Sequence, residues 1–269
     1  MCFRSRNYPG EVRFDLSSDD KSTGSFWGVY PWAAAMALRE KYEVRRGIVG
    51  LLDGMLPGCG LSSSASVLLA YLHALADVNG IELTPWDYVN LTRRAERGFI
   101  GLNNGILDQT SIVFGRRDYL LHIDTVSKDV TCMEDCLGAD TYRILVAFSG
   151  HSRELTTSGY NSRVEECREA AQKLSDFAGN GKVETLSDVR PEDFEQFGDR
   201  LRPELFKRSS HFFGESRRVR EGVAAWETKS ITDFGRLMNE SCVSSMEKYE
   251  CGIQAIHDLQ QTVSSAEGT

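Results

Sequence analysis

The run GCGLSSSAS at residues 58–66 sets glycines and serines between one apolar stretch, RRGIVGLLDG, and a longer one, VLLAYLHALADV. Glycines let a backbone approach an anion closely, and hydroxyls supply hydrogen-bond donors and metal-directed oxygens. The first free N–H groups of a following helix, together with its dipole, favour negative charge. The chemistry this points to is phosphate binding. No lysine follows the glycines, so the run is not the G-x-x-x-x-G-K-S/T loop, and cationic help must come from elsewhere. The plainer alternative is a serine cap after a glycine turn. A cap uses a single serine, whereas Ser62, Ser63 and Ser64 stand in a row.

Two carboxylates could work with such a loop. Asp108, in GILDQ, sits among Ile106, Leu107 and Ile112, where a charge is costly unless something pairs with it. It could take the proton of a substrate hydroxyl or orient that hydroxyl toward a phosphoryl group. The alternative is a cap on a helix starting at Gln109. Glu96 lies twelve residues earlier and could be a Mg²⁺ ligand shared with a loop serine, since magnesium accepts one or two carboxylates beside water and phosphate oxygens. Its alternative is a solvated ion pair with the neighbouring arginines, worth about 0–1 kcal/mol. Tyr160 and Asn161 open a helix after LTTSG, where the tyrosine is either a core lid or a sugar contact. His151 is a weak binding candidate with no partner in sequence.

The elements that position these residues follow from periodicity. Val12–Leu16 and Tyr119–Ile123 read as strands, Ile48–Leu52 as a short buried strand, and Arg143–Phe148 as a further strand. Tyr30–Glu40 is helical in composition. In Ser62–Val78 the residues Ala65, Leu68, Leu72 and Leu75 share one helical face, and Val67, Leu69 and Tyr71 make the other sides greasy, so this helix is sandwiched within its domain. Pro85–Phe99 is a helix capped by Thr84 and stopped near Gly98. Asn103, Asn104 and Gly105 make a turn. From Tyr160 onward helices dominate: Val164, Cys167, Ala171 and Leu174 line one face, Pro203 begins a long helix, and Ile231–Tyr249 forms a third. The tail VSSAEGT has nothing to bury and is read as frayed. The organisation is α+β first and helical second, with a boundary near residues 140–155 and no repeat.

Composition bounds the rest. A chain of 269 residues that is 41% hydrophobic can bury a core as one or two domains. A formal charge of −8 argues against a nucleic-acid partner, with Arg93, Arg94 and Arg97 only a local cluster. No run of eighteen apolar residues exists, and the charged first twenty residues do not make a signal peptide. Seven scattered cysteines read as free thiols of a reducing, cytoplasmic compartment; Cys132 and Cys136 lack the second pair that a zinc site needs.

Taken together, these residues resemble the superfamily of galactokinase, homoserine kinase, mevalonate kinase and phosphomevalonate kinase. GLSSSAS at 60–66 is similar to its central phosphate motif, and AERGFIGLNNGILDQ at 95–109 to the galactokinase-branch segment carrying the magnesium carboxylate and catalytic aspartate. The segments at 144–171 and 234–252 extend the likeness. Within the branch, LTTSGYNSRVEECREAA, GLNNGILDQ, FWGVY and KYECG look most like galacturonokinases. The resemblance implies a two-domain small-molecule kinase fold of the α+β class, with a ribosomal-protein-S5-like first domain over residues 1–145 and a helical or α+β second domain over 146–269.

The resemblance also implies ATP and Mg²⁺. Gly58, Cys59, Gly60, Leu61, Ser62, Ser63, Ser64 and Ala65 would wrap the ATP phosphates, with Ser64 and Glu96 on the metal. Asp108 would be catalytic, and Gly105, Asp108 and Tyr160 would line the sugar pocket. The implied reaction is transfer of the γ-phosphoryl to the C1 hydroxyl of galacturonate by a cytoplasmic monomer, with no nucleic acid and no membrane involved. Galactose is the rival substrate; Arg153 is the candidate cation for a C6 carboxylate. A non-catalytic sensor or remnant is the other alternative, and a purely structural module the least favoured. The family's early segment, with an arginine near the transferred phosphate and a Glu/His/Asp set for sugar hydroxyls, is not found before residue 1. Its late glycine-rich motif is not found after Cys251. The expectation is therefore a chain missing both ends, its sheet edge exposed and its activity weakened.

Overall fold

The computed structural model describes residues 1–21, 24–55, 58–135, 137–138, 141–147 and 159–266. The fold is α+β, and the described residues form two compact units, Met1–Met133 and the residues from Glu134 onward.

The first unit is built on a three-stranded sheet, order β2-β1-β3, from β1 (Cys2–Ser5), β2 (Glu11–Arg13) and β3 (Val49–Leu52). β1 runs antiparallel to β2, pairing Phe3 with Val12, and parallel to β3, pairing Phe3 with Gly50. β1 is not anticipated in sequence, because Phe3 is flanked by charged and polar residues; burial of that one ring, edge-on to Tyr71 at 4.9 Å, fixes it. β3 forms where the apolar run predicts, but it is not buried. It is an edge strand, with Val49 85% and Leu51 59% exposed.

Against the sheet pack α1 (Val29–Arg39) and α2 (Ser63–Asn79). α1 contains Ala33, Ala34, Ala35 and Ala37, all fully buried; alanine is the best helix former, and its small side chain lets neighbours come close. The face predicted for α2 is confirmed: Ala65, Leu68, Leu72 and Leu75 are fully buried, and Leu69 and Tyr71 are buried as well. Gly80, in a left-handed conformation, ends the helix. α3 (Pro85–Arg94) starts as predicted, with Pro85 in the first turn and Thr84 and Asp87 forming a reciprocal capping box. It does not stop at Gly98. The chain widens into a π-helical turn, Ala95–Ile100, and ends at Gly101 with φ +95°. α4 (Leu107–Phe114) and the paired strands β4 (Tyr119–Ile123) and β5 (Val130–Glu134) follow.

The second unit is helical: α5 (Tyr160–Phe177), α6 (Pro191–Phe197), α7 (Pro203–Glu227), α8 (Ile231–Glu247) and α9 (Gln254–Ser264). Ala170, Ala171, Leu174, Leu186 and Leu205 form its core, with Cys167 and several phenylalanines packed around them. The strand expected at Arg143–Phe148 is absent over residues 143–147, where Ile144 and Leu145 are exposed. Phe148 lies outside the described residues. β propensity without a partner strand does not make a strand. The tail is helical through Ser264, although α9 buries nothing fully. No helix among the described residues is long and apolar enough to cross a membrane.

Residues 248–250 of the KYECG segment are tied to two helices at once. Arg208 of α7, 3% exposed in its side chain, donates to Glu166 at 2.6 Å, to Glu250 at 2.7 Å and to the Lys248 carbonyl. Arg163 of α5 donates to the carbonyls of Tyr249 and Glu250, each at 2.7 Å. Hydrogen bonds from Lys207 and Arg208 hold the Glu250 carboxyl down at about 2, below its ordinary 4.5. A depressed carboxyl stabilises the fold above about pH 4.5, and that contribution is lost as pH falls toward 2. Solvent screens Glu250, whose side chain is 41% exposed, so the effect is modest. Glu250→Gln should therefore lose less melting temperature than the parent between pH 5 and pH 2.5 in thermal unfolding scans. Parallel losses would show that the clamp carries no acid sensitivity.

Candidate active site

The loop ahead of α2 is held in an unusual backbone conformation. Gly58 (φ +74°), Gly60 (φ +76°) and Ser62 (φ +54°) are left-handed, while Cys59 and Leu61 between them are not. Such alternation turns successive N–H groups toward a common side, the geometry of anion-binding nests. Glycine adopts it freely; for Ser62 it costs about 1 kcal/mol or more. Ser62 occupies the cap position of α2, yet its side chain makes no cap hydrogen bond. The plain serine-cap reading therefore fails, and the first N–H groups of α2 are left to other partners. Ser63 Oγ accepts from the Gly58 N–H at 3.3 Å and closes the loop on itself. The half-buried Ser64 hydroxyl makes no hydrogen bond among the described residues.

Glu96 lies in the π-helical turn and is 1% exposed, which rules out a solvated ion pair. Its nearest arginine in sequence on the N-terminal side, Arg94, pairs instead with Glu40 through two bonds of 2.6 and 2.7 Å. Both hydrogen bonds to the Glu96 carboxylate fall on one oxygen. Asn104 Nδ2 donates to Oε2 at 2.7 Å, and Gln109 Nε2 donates to the same atom. The Glu96 carbonyl accepts from the N–H groups of Gly101 and Leu102, which closes the turn. Burial raises the Glu96 carboxyl above its ordinary range; the two amide donors oppose that rise, and the charge of Asp108 adds to it.

Asp108 is the second residue of α4, which starts at Leu107 with Ile106 in the cap position, so Asp108 is not the cap. It is half-buried, and its carboxylate makes no hydrogen bond or ion pair among the described residues. Gly105 is exposed, and a Cβ added there would meet nothing within 4 Å. The structure thus joins Glu96 to α4, the helix of Asp108, through the adjacent Gln109. The loop at 58–65 leads into α2, which packs against α3 and α4. No hydrogen bond connects Ser64 with Glu96. Tyr160 begins α5 in the second unit, and its side chain, like His151 and Arg153, lies outside the described residues.

Asn104 and Gln109 have no assigned role in the sequence reading. Their signal is Gln109 itself, an amide completely buried beside the candidate aspartate. Asn104 Oδ1 and Gln109 Oε1 are buried without partners, which marks a polar rather than apolar surround for Glu96. The donor types suit magnesium: one buried carboxylate with both hydrogen bonds on a single oxygen, and a loop serine hydroxyl that makes no hydrogen bond among the described residues. No cluster of three or more histidine, cysteine or acidic side chains that could enclose a metal occurs among the described residues. The described cysteines form no disulfide with one another, and Cys136 lies outside them.

Comparison with known proteins identifies relatives of this chain. A family model for the GHMP kinases N terminal domain matches residues 29–116, which span α1 to α4. A galacturonokinase of Arabidopsis thaliana is 39% identical, over 98% of this chain and 68% of its own length. A galactokinase of Staphylococcus carnosus is 30% identical, over 100% of this chain and 69% of its own. The crystal structure of Lactococcus lactis galactokinase complexed with galactose superposes with a TM-score of 0.86 at 27% identity, covering 99% of this chain and 69% of that one. The chain spans about two thirds of the length of these relatives.

The loop conformation is open to a clean test. At Gly60 an added Cβ meets no atom within 4 Å, so Gly60→Ala imposes backbone strain without a clash. It should cost about 1–2 kcal/mol in chemical denaturation. An unchanged midpoint would mean that the left-handed conformation is not required.

Proposed function

The chain belongs to the GHMP kinases, on their galactokinase branch, and we propose that it transfers the γ-phosphoryl group of ATP to the anomeric hydroxyl of a galactose-type sugar. One observation carries the reading: Asp108, unpaired, stands on the same helical turn as Gln109, which binds the buried Glu96. An acceptor carboxylate and a metal-type carboxylate are then linked through one helical turn, in a unit whose loop at 58–65 has a backbone suited to phosphate.

In this reading the backbone of Gly58–Ala65 and the start of α2 hold the ATP phosphates. Ser64 and Glu96 are the residues that would hold magnesium, which when bound neutralises charge on the phosphate oxygens. Asp108 accepts the proton of the C1 hydroxyl as that oxygen bonds to the γ-phosphorus. The bond from the γ-phosphorus to the β,γ-bridging oxygen breaks, and ADP leaves with the electron pair. Gly105 leaves room for the sugar, and Tyr160 is a further sugar-binding candidate by its likeness to the family motif. Supplying charge by metal rather than by lysine agrees with a loop that has none.

Galactose is the substrate best supported, because the galactose complex of the Lactococcus lactis enzyme matches nearly all of this chain and several galactokinases match at about 30%. Galacturonate is the second reading, favoured by the 39% identity to the Arabidopsis galacturonokinase. The two sugars share the C1 hydroxyl and differ at C6. ADP release measured with each sugar in turn separates them, and Asp108→Asn should lower turnover about 10²–10⁴-fold with whichever is used. Nucleotide binding without ADP release from either sugar would favour a binding remnant over a kinase.

Gly105→Ala offers a test of the sugar pocket. Because the space beside Gly105 is open, the melting temperature should hold while KM for the sugar rises about tenfold or more. An unchanged KM would place the pocket elsewhere.

A further inference from the structure

We infer that Gln109 is a positioning residue that aims the Glu96 carboxylate and ties the metal-holding group to the helix of Asp108. The inference rests on the reading of Glu96 as the magnesium carboxylate, and it assigns a role to a side chain that touches neither metal nor sugar.

The argument starts from burial. Gln109 is fully enclosed, an expensive position for an amide unless its bonds are used. One is used: Nε2 donates to Glu96 Oε2, where Asn104 Nδ2 also donates at 2.7 Å. With both donors on one oxygen, the rotation of the carboxylate is set, and no hydrogen bond occupies Oε1 among the described residues. A carboxylate held in this way presents one defined oxygen to a cation. An amide suits the task because it donates without adding charge; a lysine here would neutralise Glu96 and compete with a cation.

The second link is covalent. Gln109 follows Asp108 within the first turn of α4, so any movement of that turn carries both side chains. The π-helical turn contributes from the other side. Its widened path, closed by Gly101 and Leu102 on the Glu96 carbonyl, turns Glu96 toward Asn104 and Gln109 instead of toward the arginines beside it. Outer partners of metal-binding carboxylates and histidines commonly account for about 10–100-fold in metal affinity.

Gln109→Met tests this on the full chain, since methionine keeps the length and helix preference and also removes the unpartnered Oε1. Mn²⁺ titrated into the protein with saturating ADP, followed by electron paramagnetic resonance, should bind about 10–100-fold more weakly to Gln109→Met than to the parent. ADP binding without metal should be unchanged. Thr110→Val, which alters the next buried residue of α4, should leave both affinities at the parent's values. Unchanged Mn²⁺ affinity in Gln109→Met, with a large loss in Glu96→Gln, would overturn the positioning role while sparing Glu96. An equal loss in Thr110→Val would reduce Gln109 to packing and overturn it as well. If the parent shows no Mn²⁺-dependent ADP binding, or Glu96→Gln retains it, the functional reading falls and takes this inference with it.

Discussion

A carboxylate buried to 1% exposure in a helical turn is the constraint around which the first unit is organised. Isolated, such a group would give up its charge; it stays useful only if the protein supplies donors that replace water. Those donors come from Asn104 and Gln109, eight and thirteen residues further along the chain. To bring them there, the chain must leave α3 through a widened turn, reverse at the left-handed Gly101 and start α4 within a few residues. Each of these local irregularities helps bring donors to that one buried group. The regular elements, α1 and α2 against the sheet, provide the enclosing walls.

The regular elements are the part of the molecule legible in sequence. The spacing of Ala65, Leu68, Leu72 and Leu75 gives α2 its face, and Thr84-Pro85 with Asp87 gives α3 its start, because both signals are local and repeat at the helical period. Glu96 is harder. It is surrounded by Arg93, Arg94 and Arg97, and a local reading offers a surface ion pair. The structure gives Arg94 to Glu40, fifty-four residues away in sequence, and turns Glu96 inward. Neither the partner swap nor the π-helical widening has a periodic signature. The likeness to a known motif singled out Glu96 and Asp108 as candidates, while the amides bonded to Glu96 became visible only through tertiary contacts.

The second unit shows the same division between local and distant signals. Its helices follow from composition and from proline starts, but the KYECG segment has no pattern that announces its role. Arg208 and Arg163 reach it from two helices, and the left-handed φ of Glu250 is kept because its carbonyl and carboxylate are both bound. Ile144, Leu145 and Val146 make the opposite case: an apolar run with two β-branched residues that remains outside a strand over the described residues. Propensity selects among conformations that packing allows, and it does not create packing.

The absence of a lysine from GCGLSSSAS acquires a physical meaning from this arrangement. A phosphate loop without its own cation holds an anion by backbone N–H groups and helix dipole alone, and those partial charges cannot balance a triphosphate. The balance must come from cations outside the loop, and under the proposed function one of them is a metal ion, which is only as well placed as its ligands. A flexible surface glutamate would leave that placement to chance. A buried one, turned inward by its π-helical turn and bonded through a single oxygen to two amides, would not. Under the proposed function, the cost of burying Glu96 and the missing loop lysine would be two sides of one design, in which charge is supplied beside the loop instead of by it.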